Sequence, residues 1–286
     1  MSDTRASVLR NLGELIRDLV AHRELLAQLT RRDIRIRYKQ AVMGVGWAII
    51  MPLVVILSGW VLRLAFARLA NAPLDREVMA GIAVKSVGWA FFVGALGFGT
   101  ASITANFTLV TKVYFPRAVL PLASVATQIA DGAIAAAALL AILPFFGVSA
   151  SWSLLWLVPL TGVLLAITTA AALLFSCANV FFRDARHLVQ LILSFGIFFT
   201  PVFFDASAFG AGRTWIVMLN PLAPVLEGMR LVVVEGHNLA NSLVLAGGAV
   251  AWSPWFLVVS AAGSVLALVA SAVIFHRAEF AFAEYV

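Results

Sequence analysis

Charged side chains are scarce in this sequence. Of its 286 residues only 12% are Asp, Glu, Lys or Arg, whereas 62% are hydrophobic. A soluble domain usually carries about 25% charged residues, so the composition excludes an ordinary water-exposed surface. At roughly 20 apolar residues for each helix that crosses a membrane, a chain of this length has room for about six spans.

Cysteine and histidine are scarce as well. The single cysteine, Cys177, excludes an internal disulfide, and the four histidines show no spacing typical of metal ligands. The segment Gly81–Ser86 resembles the end of a phosphate loop, but Val84 stands where a glycine must precede the lysine. We therefore predict no catalytic residue, no metal site and no cofactor in this chain. Lys85 is interpreted as a lysine at the membrane edge.

Basic residues are concentrated at one end of the chain. Nine of the 20 Lys and Arg lie in the first 39 residues, directly before a long apolar run. Such a distribution is typical of the positive-inside rule and of contact with anionic headgroups, so we expect no nucleic-acid partner. If the N-terminus is inside, then 112–117, 183–187 and the C-terminal tail also lie in the cytoplasm. Together with the N-terminal segment, these three regions hold 14 of the 20 basic residues.

Long uncharged runs predict an all-α integral membrane fold with six transmembrane helices. Residues 1–40 are expected to form a cytoplasmic amphipathic segment, and residues 41–286 a six-span domain. The spans are predicted at about 41–67, 84–105, 118–146, 153–182, 187–204 and 253–275. Residues 205–250 mix charged residues and prolines with apolar pieces too short to span, which is typical of re-entrant helices.

An amphipathic helix is predicted near the N-terminus. Leu12, Leu15, Ile16 and Leu19 recur at helical spacing, opposite polar residues. Because this helix leads into the first span, we expect it to lie along the cytoplasmic membrane interface. A soluble helix packed on a partner has the same pattern, and both interpretations can hold together.

Asp131 is the main charge inside a predicted span. An ionisable residue there is costly and is by default a functional candidate, for example in a proton relay. However, its own helix offers only Thr127 and Gln128 as polar neighbours, and no second carboxylate or histidine accompanies it within the spans. The pattern favours a structural hydrogen-bonding role within a helix bundle.

Aromatic residues crowd two of the predicted spans. They either pack in the bundle and face lipid, or they line a conduit in which ring faces contact the C–H faces of sugars. The pattern does not separate the two alternatives. The residues concerned are Trp47, Trp60, Phe195, Phe198, Phe199 and Phe203.

Four stretches in register resemble the permease subunits of type-2 ABC exporters of bacterial cell-surface polysaccharides, the group for O-antigen, teichoic acid and capsule. The first runs from Leu29 to Gln40 and on through the Gly-Trp-Ala motif to Pro52. The others are Asn106 to Pro121, Asn179–Asp184, and Leu219–Leu222 with Glu-Gly-Met-Arg shortly after it. Their order and spacing match that group along nearly the whole chain.

This resemblance implies a homodimer of six-span subunits in the bacterial cytoplasmic (inner) membrane, with both termini in the cytoplasm. Two copies of a separate ABC ATPase would bind ATP and Mg and hydrolyse the ATP, so the chain itself would not be an enzyme. The implied substrate is a polyprenyl-pyrophosphate-linked glycan or another glycolipid, and the segment Asn106–Arg117 would dock on the ATPase.

Two sets of site residues follow from the resemblance. The residues implied to couple the permease to the ATPase are Lys112, Tyr114, Phe115, Pro116 and Arg117. A cationic collar for the lipid pyrophosphate falls on Arg31, Arg32, Arg35, Arg37, Tyr38 and Lys39, because arginine suits phosphate oxygens. For each of these basic residues, simple anchoring to headgroups is an equally good alternative.

Two other functions remain open at this point. One is an ABC permease for drugs or small lipids. The other is a polyprenyl-linked membrane glycosyltransferase, which would require clustered acidic residues at one membrane face, and the sequence offers no such cluster.

Overall fold

The computed structural model describes residues 13–39, 44, 46–69, 71, 75–206, 213–245, 248 and 250–282. This part of the chain is mainly helical. Its helices are α1 (13–21), α2 (Arg23–Lys39), α3 (Gly46–Leu69), α4 (Arg76–Ala105), α5 (Phe107–Lys112), α6 (Val119–Ile142), α7 (Leu157–Phe181), α8 (Ala185–Phe199), α9 (Thr214–Met218), α10 (Ala223–Val234) and α11 (Pro254–Ala278). Three 3₁₀ segments, Leu143–Phe146, Trp152–Trp156 and Glu279–Ala281, adjoin α6, α7 and α11. One antiparallel hairpin pairs β1 (Leu243–Val244) with β2 (Val250–Trp252), with Leu243 opposite Trp252.

Among the described residues, five helical segments are long and apolar enough to cross a membrane. They are Gly46–Leu69, Arg76–Ala105, Val119–Phe146, Trp152–Phe181 and Pro254–Ala281. Helix α8 is apolar but has only 15 residues, which at about 1.5 Å per residue is shorter than the roughly 30 Å of a hydrocarbon core. The structure is thus consistent with an all-α membrane protein with five candidate spans, and the sixth span stays a prediction.

The second span begins earlier than predicted. The sequence predicts its start near residue 84, but α4 starts at Arg76. There the Asp75 side chain caps the helix by accepting from the Glu77 backbone N–H at 3.0 Å. The predicted start was too late because Lys85 is interpreted, from the sequence, as a lysine at the membrane edge that precedes the span. Lys85 is instead 0% exposed and sits inside the helix bundle, so that interpretation was wrong.

Helix α4 is the central helix of the bundle, and it contacts α3, α6, α7, α8 and α10. Glycines permit these close approaches: a Cβ on Gly88 would lie 2.5 Å from Leu226, and one on Gly99 would lie 2.9 Å from Ala172. Small residues at helix–helix contacts are the usual means of close packing in membranes. The buried core around the first half of α4 also includes α10 and Trp252.

A second core cluster joins the N-terminal helices to the rest of the bundle. Leu15 of α1 and Leu29 of α2 are buried in it together with Val110, Phe115 and Phe275. Of the residues that predict an amphipathic helix, Leu19 also packs here, Ile16 is exposed, and Leu12 lies outside the described residues. Whether this helix lies along the membrane surface stays a prediction.

The region between α8 and α11 contains short helices. Helix α10 has 12 residues, and every one from Ala223 to Val233 is buried. It packs against α4, α7 and α11 and is too short to cross a membrane. A short buried helix between two longer apolar ones fits the predicted region 205–250, and its re-entry into the membrane stays a prediction.

Candidate functional site

A cavity of about 730 Å³ lies between the C-terminal end of α2 and helices α3, α4, α6 and α8. Its lining is mainly apolar, with Trp47, Met51, Trp89 and Phe91 among the contributors. The polar lining comes from two groups. One group is a bonded network on α2 and α6, and the other is Arg186, Gln190 and Ser194, which are spaced four residues apart on one face of α8.

The network centres on Asp131, in the middle of α6. Arg37 donates to carboxylate oxygen Oδ2, and the Tyr38 hydroxyl donates to Oδ1. Arg37 also donates to Oε1 of Gln128 at 3.2 Å. Both oxygens of a largely buried carboxylate are therefore satisfied, as a buried charge requires. The structural hydrogen bonding expected of Asp131 is present, but its partners come from α2 rather than from α6.

Two residues of α4 hold this network in place. The Arg37 guanidinium lies over the Phe98 ring, with Cζ 4.2 Å from the ring centroid, a cation–π arrangement. Gly94 leaves room for Gln128, because a Cβ there would lie 2.6 Å from the Gln128 amide. The sequence folds this way locally because α4 is glycine-rich where α6 crosses it.

The environment of Tyr38 keeps its hydroxyl protonated. Burial, followed by the hydrogen bond to Asp131, raises the pKa of Tyr38 to about 12. The hydroxyl is therefore a donor throughout the physiological range. This constancy matters because Asp131 depends on it for one of its two bonds.

The segment that follows α4 presents an exposed tyrosine on a buried support. Tyr114 is 99% exposed, whereas Phe115 and Val110 are buried in the second core cluster. Pro116 is buried and Lys112 is exposed. Arg117 donates to the Glu279 backbone carbonyl and lies 6.0 Å from the Phe282 ring centroid. The structure thus fixes the base of this segment and leaves its tip uncovered.

Helix α2 connects that segment to the cavity. Near its middle, Arg32 donates to Asn106 Oδ1 at 2.9 Å, at the junction of α4 and α5. Leu29 shares a core cluster with Val110 and Phe115. Arg37 lies five residues beyond Arg32, about 7.5 Å along the helix, and reaches the cavity. A single rigid element therefore contacts both places.

The other predicted collar residues do not line the cavity. Arg31, Arg35 and Lys39 are exposed on α2. Arg32 also pairs with Asp33 at 2.9 Å. Among the collar residues, the structure brings only Arg37 and Tyr38 to the cavity.

The aromatic residues predicted to line a channel lie in different places in the structure. Trp47 lines the cavity. Trp60 instead donates to the Met79 carbonyl at 2.9 Å and contacts Phe146, and Phe203 packs against the main core and beside Gly59. The remaining three project from the outer face of α8 and are exposed: Phe195, Phe198 and Phe199. A conduit lined by these rings stays a prediction.

A buried cluster of charges that sequence reasoning missed lies away from the cavity. Lys85 Nζ is 2.7 Å from the Phe204 carbonyl, 2.8 Å from Asp205 Oδ1 and 3.5 Å from Glu227 Oε2. Arg230 binds the same two carboxylates, at 2.7 Å for Glu227 and 3.3 Å for Asp205. The pairing ties α4 and α10 to the segment after α8.

Two further groups complete this cluster. Glu235 accepts from Arg230 Nη1 at 2.6 Å. Arg63 of α3 is also close, and its Nε is buried without a hydrogen-bond partner among the described residues. Burial by itself raises the pKa of the Asp205 carboxyl, but Lys85, Arg230 and Arg63 outweigh it and hold that pKa below its usual value.

Within the part of the chain that the structure describes, no group of three His, Cys, Asp or Glu side chains is placed to hold an ion. What the cavity offers is a cationic and hydrogen-bonding end joined to an apolar wall. Such a surface suits an amphiphile with an anionic head.

Comparison with known families identifies the class of protein. The ABC-2 type transporter family matches residues 24–234, most of the chain. The chain belongs to this family of transporter membrane subunits, as its resemblance to the exporter permeases predicted. The matched region begins in α2 and ends with α10, so it includes the cavity, the segment after α4 and most of the charge cluster.

Similar proteins carry a more specific name. The chain is 27% identical over 227 residues to an O-antigen export system permease protein RfbA of Klebsiella pneumoniae. The aligned residues cover 79% of this chain and 83% of that protein. It is also 27% identical over 230 residues to the protein of the same name from Myxococcus xanthus, covering 80% and 86%. A second Klebsiella pneumoniae protein of that name is 26% identical over 227 residues.

Proposed function

We propose that this chain is the permease subunit of an ATP-driven exporter that moves a lipid-linked polysaccharide, a polyprenyl-pyrophosphate glycan, across the bacterial cytoplasmic membrane. A separate ABC ATPase binds ATP and Mg and supplies the energy. The permease acts as a homodimer with two ATPase copies, and both of its termini lie in the cytoplasm.

The cavity carries this proposal. It combines Arg37 and Arg186 with an apolar wall formed by α3, α4 and α8. A phosphate headgroup is recognised by arginine forks, and a prenyl chain needs an apolar surface. The names of the similar export permeases support the same substrate class.

The coupling path follows from the contacts of α2. Tyr114, fully exposed at the tip of the segment after α4, contacts the ATPase. The supporting residue Phe115 shares a buried cluster with Leu29 of α2. When ATP binding moves this segment, α2 moves with it and shifts Arg37 relative to Asp131, so that the cavity opens or closes.

The short helices between α8 and α11 form the outer part of the path. Helices α9 and α10 re-enter the membrane without crossing it, and the charge cluster fixes α10 on α4. The exposed rings Phe195, Phe198 and Phe199 of α8 face the second subunit and line the conduit for sugars.

The test is substitution of the exposed tip. Tyr114→Ala in the permease–ATPase complex is expected to abolish ATP-dependent glycan export, while membrane insertion and cavity binding of substrate persist. The matched control is Phe145→Ala, because Phe145 is also exposed, at 82%, but lies in the 3₁₀ segment that follows the far end of α6. Export that survives Tyr114→Ala, or ATP hydrolysis by the purified permease alone, would contradict the proposal.

A further inference from the structure

Two arginines from different helices line the cavity in different states. Arg37 is held by Asp131 and Gln128 and lies against Phe98. Arg186, in the first turn of α8, is exposed and forms no hydrogen bond or ion pair with any described residue. Among the described residues, the cavity therefore contains one engaged cation and one cation available to a ligand.

The charge balance of the cavity determines which ligands can bind both arginines. Two arginines and one aspartate leave a single net positive charge among these cavity residues. Asp131 also accepts from Tyr38, so it retains one partner if Arg37 moves away. Arg37 can thus leave Asp131 only for a ligand that supplies a comparable negative charge.

We infer that Asp131 is a specificity-determining residue that makes the cavity select a lipid with a diphosphate head over one with a monophosphate head. This inference rests on the proposed function. A single phosphate binds Arg186 and leaves Arg37 on Asp131. A diphosphate binds Arg186 with one phosphate and has a second phosphate to take Arg37 from Asp131, which adds charge-assisted hydrogen bonds that a monophosphate does not gain.

Selection of this kind solves a physical problem at a membrane site. The surrounding bilayer is filled with lipids that carry one phosphate, and an uncompensated arginine pair would bind them. Discrimination between ligands is achieved as much by a competing interaction as by new contacts. The Asp131 carboxylate is that competitor, since it satisfies Arg37 until a stronger anion arrives.

The hydrocarbon part of such a ligand has a place beside the head. A second, apolar cavity of about 320 Å³ adjoins the first and shares Val87, Phe91 and Gly132 with it. Its other walls are mainly apolar residues of α4, α6, α7 and α10. A prenyl chain is therefore expected to add affinity beyond that of free diphosphate.

The experiment measures binding of three probes to the purified full-length permease in lipid nanodiscs: farnesyl diphosphate, farnesyl monophosphate and inorganic pyrophosphate. Wild type is expected to bind farnesyl diphosphate about tenfold or more tightly than the other two, the scale of one hydrogen bond to a charged group. Asp131→Asn is expected to bind the monophosphate about tenfold better, so that the two lipid probes become nearly equal.

Three further variants keep the test decisive. Asp131→Glu restores a carboxylate and should restore discrimination. Arg186→Gln should weaken both lipid probes, whereas Arg37→Gln should weaken only the diphosphate, so the inference remains testable even if Asp131→Asn fails to fold. Equal binding of both lipid probes by wild type, or an unchanged ratio in Asp131→Asn, would overturn it. Inorganic pyrophosphate binding as tightly as farnesyl diphosphate would overturn the assignment to a lipid.

Failure of this inference can be distinguished from failure of the transport proposal. Diphosphate selection without ATP-dependent export would leave the headgroup site intact and refute the exporter function. Export that proceeds unchanged in Asp131→Asn, with the same preference for diphosphate-linked substrate, would refute the headgroup selection alone.

Discussion

Replacing Lys85 with methionine is expected to destabilise the fold strongly. Lys85 is completely buried, and its ammonium group contacts the Phe204 carbonyl, Asp205 and Glu227. Methionine keeps much of the side-chain volume but removes the charge. The substitution leaves Asp205, Glu227 and Glu235 to share Arg230, with Arg63 as the other nearby cation.

The size of the effect follows from this imbalance. Removing one partner of a buried ion pair costs about 3–5 kcal/mol, because a buried charge is left without compensation. Glu227→Gln in the same chain removes one excess negative charge, so the double variant should be more stable than Lys85→Met alone. Residues of one charge network couple by about 0.5–3 kcal/mol, and we expect at least about 1 kcal/mol here.

Unfolding in mixed detergent micelles, followed by tryptophan fluorescence, measures both quantities. The matched control is Lys112→Met, because Lys112 is exposed and such substitutions stay within about 0.5 kcal/mol. A loss below about 1 kcal/mol for Lys85→Met, with no recovery in the double variant, would show that the cluster does not hold α10 to α4 by charge pairing.

Three more predictions concern other contacts. The fold lowers the pKa of the Asp205 carboxyl below its ordinary value of 3.8. The stability that this carboxylate contributes is therefore present above pH 3.8 and is lost as the pH falls through the lowered pKa. The difference in unfolding free energy between wild type and Asp205→Asn should shrink at acid pH. Tyr38→Phe should remove one tyrosinate absorbance step near pH 12, and an unchanged titration would contradict the raised pKa of Tyr38. Gly94→Ala should displace Gln128, since its Cβ would lie 2.6 Å from that amide, and should weaken farnesyl diphosphate binding. Gly263→Ala on α11, with open space at its Cβ and outside the cavity lining, should not.

Much of the helical framework follows from the sequence alone. The predicted span 118–146 coincides closely with Val119–Phe146, and 153–182 with Trp152–Phe181. Uncharged runs of this length have one stable arrangement in a membrane, because every backbone polar group must be bonded within the helix. The last predicted span, 253–275, overlaps the helical segment Pro254–Ala281 for the same reason.

The charge pairs could not be predicted from the sequence, because the paired residues are far apart in the chain. Asp131 meets Arg37 across 94 positions, and Lys85 meets Glu227 across 142. A lone charge in an apolar run indicates that a partner must exist, but not which one. This is why Lys85 was misplaced at a membrane edge and why the collar, predicted as one surface, contributes only Arg37 and Tyr38 to the cavity.

The most direct test of the account is transport by purified components. Permease and partner ATPase in sealed vesicles would receive a radiolabelled polyprenyl-diphosphate glycan on the ATPase side, and its appearance on the opposite side would be followed with and without ATP. We expect ATP-dependent movement that is lost in the double variant Arg37→Gln, Arg186→Gln. Movement that needs no ATP, or that persists without both arginines, would contradict the central claim.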